Sequence, residues 1–308
     1  MNPMGNATGS TAAAGAPAPA RRRGGTATAR RRRAPMTWES WVIAGGILLL
    51  VLYCLAPFYW MFVSSLKGPG EITDNSLWPA APTLVNYRGV FGGENHFGYA
   101  VRNSIIIAVA TTGLAMVIAV SCGYALARLR FRGRNLVLGL VLASSMFPGV
   151  AIVTPLYQLF SDWGWIDQYQ AMVVPNISFA LPLAIFVLTT FFREMPWELE
   201  EAARVDGCGP VGAFSRVILP LAAPGVATTA LLVFFAAWNE YLISSVVSIT
   251  LASNPVTVAL AKFAGDTEFQ QPFGSQMAAG VVVTVPLIVL VLLFQRRIVR
   301  GLSAGGFR

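Results

Sequence analysis

Long apolar runs separated by short polar clusters make up most of this chain. Between Glu39 and Lys67 lie 27 uncharged residues, between Arg102 and Arg128 25, between Arg134 and Asp162 27, between Asp167 and Arg193 25, and between Glu268 and Arg296 27. From Arg216 to Lys262 only Glu240 interrupts. A helix needs roughly 20 apolar residues to cross a bilayer. The pattern therefore predicts six spanning helices, near 41–65, 100–127, 135–160, 170–192, 221–244 and 276–295. Lipid offers the backbone no hydrogen-bond partner, so runs of this kind must be helical. The alternation of a membrane barrel is absent. The fold class read from the pattern is an all-α integral membrane protein.

The basic residues then orient the spans. An even number of crossings puts the N-terminal segment, the 128–134 loop, the 193–216 loop and the C-terminus on one side. That side carries 18 of the 22 Lys and Arg residues; the other holds Lys67, Arg88, Arg102 and Lys262. Positive charge marks the cytoplasmic side, so both termini are expected there, in a multi-pass protein of the plasma membrane. Residues 1–36 are Ala, Gly, Pro, Thr, Ser and Arg in the main, which cannot bury a core. They are read as a disordered cytoplasmic tail rather than a transit or signal peptide. Residues 37–308 are then one transmembrane domain.

Composition narrows the function. Of 308 residues 55% are hydrophobic and 12% charged, about half the charge of a soluble domain. Cys54, Cys122 and Cys208 form neither a disulfide framework nor a zinc spacing. His96 is the single histidine, so no HExxH or multi-histidine site exists, and no metal site is expected; His96 is read as a surface residue. Neither Lys67 nor Lys262 follows a glycine, so the chain has no phosphate-binding GxxxxGK[ST] loop. No catalytic residue and no nucleic-acid partner are expected, and any ATP would be bound by another chain.

The two large loops of the outer side, 66–99 (with WPAAPTLVNYRGVF) and 245–275, are rich in Asn, Pro, Gly and aromatic residues. They read either as interfacial caps or as docking surfaces for an external partner.

The longest inner loop, 193–220, contains PWELEEAARVDGCGPVGAFSRVILP. Pro196 suits a first helical position, and Glu198, Glu200 and Glu201 suit the first turns of a helix. Glu200 and Arg204 are spaced for a surface ion pair. Gly207 suits a left-handed stop. Pro210 would begin a second short helix and Pro220 would close it. Leu199, Ala202, Ala203 and Asp206 share one face, and two alanines there permit close approach by another surface. Such a helix either lies on the membrane or docks in a partner's groove. Its acidic residues disfavour an anionic lipid surface, so docking is the better fit.

Glu201-Ala202-Ala203, three residues, Gly207, nine residues, then Val217-Ile218-Leu219-Pro220 resembles the EAA motif, EAA-x3-G-x9-I-x-LP. That motif marks permease subunits of binding-protein-dependent ABC importers; Val217 at the Ile position is the one departure. Over roughly residues 40–308 the chain is similar to the carbohydrate branch, the maltose-type permeases. Carriers of the likeness are NSIIIAVATT at 103–112, YALARLRFRGR at 124–134, MFPGVAIVTPLY at 146–157, FALPLAIFVL at 179–188, AWNEYL at 237–242 and QRRIVRGLSAGGFR at 295–308. Within that branch FFREMPWELEEAARVDG, VILPLAAPG and FQRRIVRGL look like the second permeases of actinobacterial trehalose importers.

The resemblance implies a non-catalytic subunit that works with a pair of ATPase subunits, a second permease as heterodimer, and an extracytoplasmic sugar-binding lipoprotein. ATP and magnesium would be held by the ATPase and no cofactor by this chain. The loop would be the coupling helix: Glu201 for the charged contact to the ATPase, Ala202 and Ala203 for close fit, Gly207 for the turn, and Leu219-Pro220 for the motif's end. The C-terminal segment from Gly301 is either a further ATPase contact or a frayed end.

Glu240 is the carboxylate inside the fifth apolar run and follows Trp238 and Asn239. An ionisable residue there is a functional candidate. Trp238, Asn239 and Glu240 either touch a sugar in its pathway or bond between helices. Asn176, beside Pro175 and Pro182, and the prolines Pro148 and Pro155 mark breaks that either line a site or are packing kinks. A self-sufficient secondary carrier or channel is the competing reading; it would normally show internal repeats or several buried charges, neither of which is evident.

Overall fold

A computed structural model describes residues 38–71, 74–92, 97–263 and 273–305, all as helices and connecting segments. The chain divides into two units at Leu52 and Tyr53. The described part of the first, residues 38–52, is the leading part of helix α1 (Trp38–Ser65), with its large apolar side chains exposed. The basic N-terminal tail of residues 1–36 and the outer-loop His96 lie outside the described residues.

In the second unit a short helix α2 (Val85–Phe91) precedes the long α3 (Phe97–Arg128). Then come α4 (Arg134–Ser144), α5 (Gly149–Asp162) and α6 (Tyr169–Glu194). The polar loop holds α7 (Glu198–Val205), α8 (Pro210–Ala213), a π-helical turn (Phe214–Ile218) and α9 (Leu219–Leu221). The chain finishes with α10 (Ala223–Trp238), α11 (Leu242–Val247), α12 (Val256–Ala261) and α13 (Phe273–Gly305).

Five stretches are long and apolar enough to cross a membrane: Trp38–Ser65, Phe97–Arg128, Tyr169–Glu194, Ala223–Val247 and Phe273–Gln295. The predicted third span is α4 and α5, bent by 83° at their junction, which makes six crossings if the pair counts as one. The bend has a local cause. Pro148 caps α5 in an extended conformation (φ −68°, ψ 119°), so its ring cannot continue α4.

The centre of the second unit is α3 against α6, with α10 packed on both. Ala115, Ala119 and Leu126 of α3 meet Ala180, Ala184 and Leu188 of α6 in one buried cluster. Small residues let two backbones approach closely where lipid supplies no hydrophobic drive. At Gly123 the approach leaves no room: an added Cβ would sit 3.0 Å from Leu188 Cβ and 3.2 Å from the Thr189 nitrogen.

The segments between helices gather on two faces. On one, Asn103 donates its amide to the carbonyls of Ala252 (2.7 Å) and Asn254 (3.1 Å) and accepts from the Tyr169 hydroxyl (2.8 Å). Asp167 of the 163–168 turn accepts from the backbone N–H groups of Ile249 (2.7 Å) and Thr250 (3.0 Å) and from the Ser253 hydroxyl. Lys67, counted in the sequence as a loop charge, is in fact buried, donating to the Asp74 carbonyl over the Trp60 ring. On the other face the end of α3 meets the loop after α6, where Arg128 Nη2 donates to the Met195 carbonyl at 2.8 Å. The two loops that the crossing count placed on one side are thus joined. α13 continues through Gly305, so the described part of the C-terminal segment is helical.

Candidate functional site

The 195–222 loop is a stiff helical hairpin. Pro196 lies before α7 and Trp197 is the residue at its N-terminus, one step off the predicted first-turn proline. Gly207 takes φ +86°, as its predicted role requires. Around it the Gly207 N–H bonds the Arg204 carbonyl (3.1 Å) and the Cys208 N–H bonds the Ala203 carbonyl (2.9 Å). These two bonds make a Schellman stop, which satisfies the last carbonyls of α7. Gly209 and Pro210 then start α8. Pro220 does not close the second helix. It sits inside a helical stretch that runs on to Leu221, just after the π turn. A proline there lacks an N–H and would collide with the carbonyl four residues back; the wider π turn, in which the Leu219 N–H bonds Phe214 O, accommodates it.

Burial separates the motif residues. Glu201 and Ala202 are exposed and Ala203 is buried. Ala203 therefore faces inward rather than out beside Ala202, and Leu199 also turns toward the core. The exposed face presents Glu201, Ala202 and, at the tip, Val205 (87% exposed) and Val211 (78% exposed). Leu219 is half-buried and Pro220 exposed.

Glu200 fastens this hairpin to α3. It was expected in a surface pair, yet its side chain is buried. Its Oε1 accepts from Arg204 Nη2 at 2.7 Å and from the Tyr124 hydroxyl at 3.1 Å. Tyr124 packs on Phe214 of the π turn, ring centroids 4.4 Å apart, and edge-on to Phe192 at 5.8 Å. Arg128, one turn further along α3, is buried with its guanidinium 4.6 Å from the Trp197 ring centroid. Sequence reading missed Tyr124, Arg128 and Trp197. The available signal was the spacing of Tyr124 and Arg128, four apart at the end of a spanning run.

A second site lies at the bend between α4 and α5. A cavity of about 400 Å³ is lined by Ser145, Phe147 and Gly149 of the bend, by Asn176 and Phe179 of α6, and by Thr229 and Glu240 from the fifth span. Of the four candidate pathway residues, the fold brings Asn176 and Glu240 together here. Asn176 is buried, and its Nδ2 has no partner. Glu240 stands where the fifth span breaks between α10 and α11. Its Oε1 accepts from the Ile243 N–H (2.7 Å), and its Oε2 from the Ser244 N–H (3.0 Å) and hydroxyl (2.6 Å). The carboxylate thus caps the exposed N–H groups of α11. Trp238 and Asn239 are not among the residues lining the cavity. Trp238 is buried and stacks on Phe234 at 5.8 Å, while Asn239 donates to the Phe235 carbonyl at 2.8 Å. Trp238 ends α10 and Glu240 stands in the break beyond it, so the neighbours of Glu240 in sequence point elsewhere.

On the opposite face burial alone would raise the pKa of Asp167. The hydrogen bonds from Ser253, Thr250 and Ile249 outweigh that effect and hold its carboxyl below the usual range.

Residues 115–304 match the family described as binding-protein-dependent transport system inner membrane component. Over 260 residues the chain is 46% identical to the trehalose transport system permease protein SugB of Mycobacterium tuberculosis, covering 84% of this chain and 94% of that one. It is 38% identical to the trehalose/maltose transport system permease protein MalG of Thermococcus litoralis over 264 residues, 85% of this chain and 95% of the other. Its fold is similar to a chain in the crystal structure of a bacterial ABC transporter that imports alginate, with TM-score 0.72 at 24% identity over 85% of this chain and 99% of that chain.

Proposed function

The chain belongs to the family of binding-protein-dependent transport system inner membrane components, and from that premise we propose that it is one of two permeases in an ABC importer for trehalose or a related disaccharide. It is a multi-pass protein of the bacterial cytoplasmic membrane, in the sugar-permease branch of that family. The sugar is supported by the relatives named for trehalose. In this reading ATP and magnesium are held by a partner ATPase pair, and a sugar-binding lipoprotein delivers the solute from outside.

The observation that carries the coupling role is the contrast within one helical turn between buried Glu200 and exposed Glu201. Glu200 ties α7 to α3, so a displacement of α7 is passed to a spanning helix rather than absorbed by the loop. Glu201 is left free to form a charge-assisted contact at the rim of an ATPase groove. Ala202, Val205 and Val211 give that contact its apolar part, and Gly207 holds the hairpin's turn. Ala203, Leu219 and Pro220 act from within, by packing and by shaping the π turn.

The cavity at the bend is this subunit's share of the sugar pathway. Its volume falls within the roughly 300–1,000 Å³ of small-molecule sites. Asn176 Nδ2 can donate to a sugar hydroxyl. Glu240 uses three of about four acceptor positions of a carboxylate, which leaves one for a hydroxyl. The test is uptake of labelled trehalose in a strain deleted for this chain and complemented with it. Restored uptake that depends on ATP is expected; uptake independent of the chain, or driven by an ion gradient without ATP, would overturn the reading.

A further inference from the structure

Two donors of a buried arginine stand unpaired at the root of the helical hairpin. Arg128 is 4% exposed; its Nη2 bonds Met195, but its Nε and Nη1 have no hydrogen-bond partner. Beside it Glu200 Oε2 is also buried and unpartnered. Both side chains line a pocket of about 250 Å³, together with Arg130, Trp197, Glu201 and Arg204. The Arg128 and Arg130 guanidinium groups lie 4.6 and 5.8 Å from the Trp197 ring centroid.

Buried polar groups left unmade are costly, and charged ones most of all. Nε–H and Nη1–H lie on opposite edges of a guanidinium, each forking with one hydrogen of Nη2; Met195 takes one of those hydrogens, so one two-donor edge stays open and matches two oxygens of a phosphate. Arg204 is already engaged by Glu200, so the charge left for a ligand is that of Arg128 and Arg130, offset in part by Glu201 at the pocket wall. A bare anion would answer the arginines yet leave Glu200 Oε2 without a donor. A ligand that answers both needs an oxyanion at one end and a donor at the other.

We propose that this pocket binds a phosphate ester that also carries an ammonium or hydroxyl donor. Its phosphate oxygens bond the open two-donor edge of the Arg128 guanidinium, with Arg130 adding charge. Its donor bonds Glu200 Oε2, and an ammonium also gains from the Trp197 indole face. Two sources share this chemistry. One is a phospholipid headgroup, since α3 and α6 both end here. The other is a soluble phosphorylated sugar or polyol. In either case the ligand joins the end of α3 to the first turn of α7, the joint through which the hairpin acts, and it sets how firmly that joint is held. The site does not depend on which sugar is transported.

The experiment uses the full-length chain in its native complex. Native mass spectrometry reads phospholipid retained after detergent exchange. Titrations with phosphoethanolamine, glycerol phosphate and inorganic phosphate, followed by tryptophan fluorescence, read soluble binding. One retained phospholipid assigns the lipid source; saturable binding of either ester, tighter than inorganic phosphate, assigns the soluble source. Arg128→Gln should weaken the observed binding by about tenfold or more, as expected for a lost charge-assisted bond. Arg130→Gln, at an exposed position, should weaken it less and keeps the test decisive if Arg128→Gln fails to accumulate. The proposal is overturned if neither ester is retained or bound at millimolar concentration, or if inorganic phosphate binds as tightly as both esters. It is also overturned if binding is unchanged in the variants that accumulate, or if a structure of the complex places a partner protein's carboxylate on Arg128.

Discussion

The Tyr124 hydroxyl donates to Glu200 Oε1 at 3.1 Å, joining two residues 76 apart in sequence. One sits in the last turns of α3, the other in the first turn of α7. The contact makes the polar hairpin an extension of the central helix pair rather than a hinge-borne loop. Tyr124→Phe removes the donor while keeping the ring on Phe214. A stability loss of about 0.5–1.5 kcal/mol is expected, with a larger proportional loss in sugar-stimulated ATP hydrolysis. Melting temperature and ATPase rate of the purified complex give the two numbers; a fall in stability with stimulation untouched would contradict the role of this joint.

Glu201→Lys reverses the charge on the exposed face without disturbing the buried one. Transport is expected to be lost while the protein remains in the membrane at ordinary abundance. Uptake rate alongside immunoblotting of membranes reads both. Normal uptake would remove the coupling assignment.

Glu240 answers three hydrogens at the start of α11. Glu240→Ala should destabilise the protein by about 0.5–2 kcal/mol, the range for a lost helix cap. Glu240→Gln keeps one acceptor and should cost less. If the carboxylate also meets sugar, Glu240→Gln raises the KM for uptake at near-normal stability. An unchanged KM limits Glu240 to capping.

The carboxyl of Asp167 titrates below its ordinary value because its hydrogen bonds favour the charged form. Its contribution to stability is therefore fully present above the ordinary carboxylate range and is lost as pH falls through the lowered folded value. Asp167→Asn should flatten the acid side of the stability profile. Melting temperature from neutral to acid pH shows this; parallel profiles for the two proteins would argue against it. Asp167 also holds φ +64°, a conformation asparagine tolerates, so the backbone is not the variable.

Most of the fold is legible from the charges alone, because an uncharged run of membrane length has few other uses. The expected spans overlap the long apolar helices, with two departures: the third is the bent pair α4 and α5, and α13 runs past the sixth to Gly305. The Gly207 stop and the Pro210 start could be read since each residue has one strong backbone preference. Pro196 and Pro220 were placed wrongly in detail, because a proline also tolerates the position before a helix and the one after a π turn. Burial within the motif was not legible. Helical spacing puts Ala202 and Ala203 side by side, and only the packing of the π turn decides that Ala203 goes inward. The spacing of Tyr124 and Arg128 places both on one face of α3, yet it does not name the hairpin as their partner, since nothing local announces a contact across so long a stretch of chain. Adjacency in sequence also suggested Trp238 and Asn239 as companions of Glu240, where the break after α10 separates them and the fold brings Asn176 instead.

The account stands most directly on what this chain assembles with. The measurement is mild-detergent purification from its native membrane, mass spectrometry of the co-eluting chains, and sugar-stimulated ATP hydrolysis by the recovered complex. The expected result is an ATPase with a phosphate-binding loop and a second multi-span permease, with hydrolysis stimulated by a sugar-loaded binding protein. A chain that runs alone or as a homo-oligomer, with no ATPase even after crosslinking, would contradict the account.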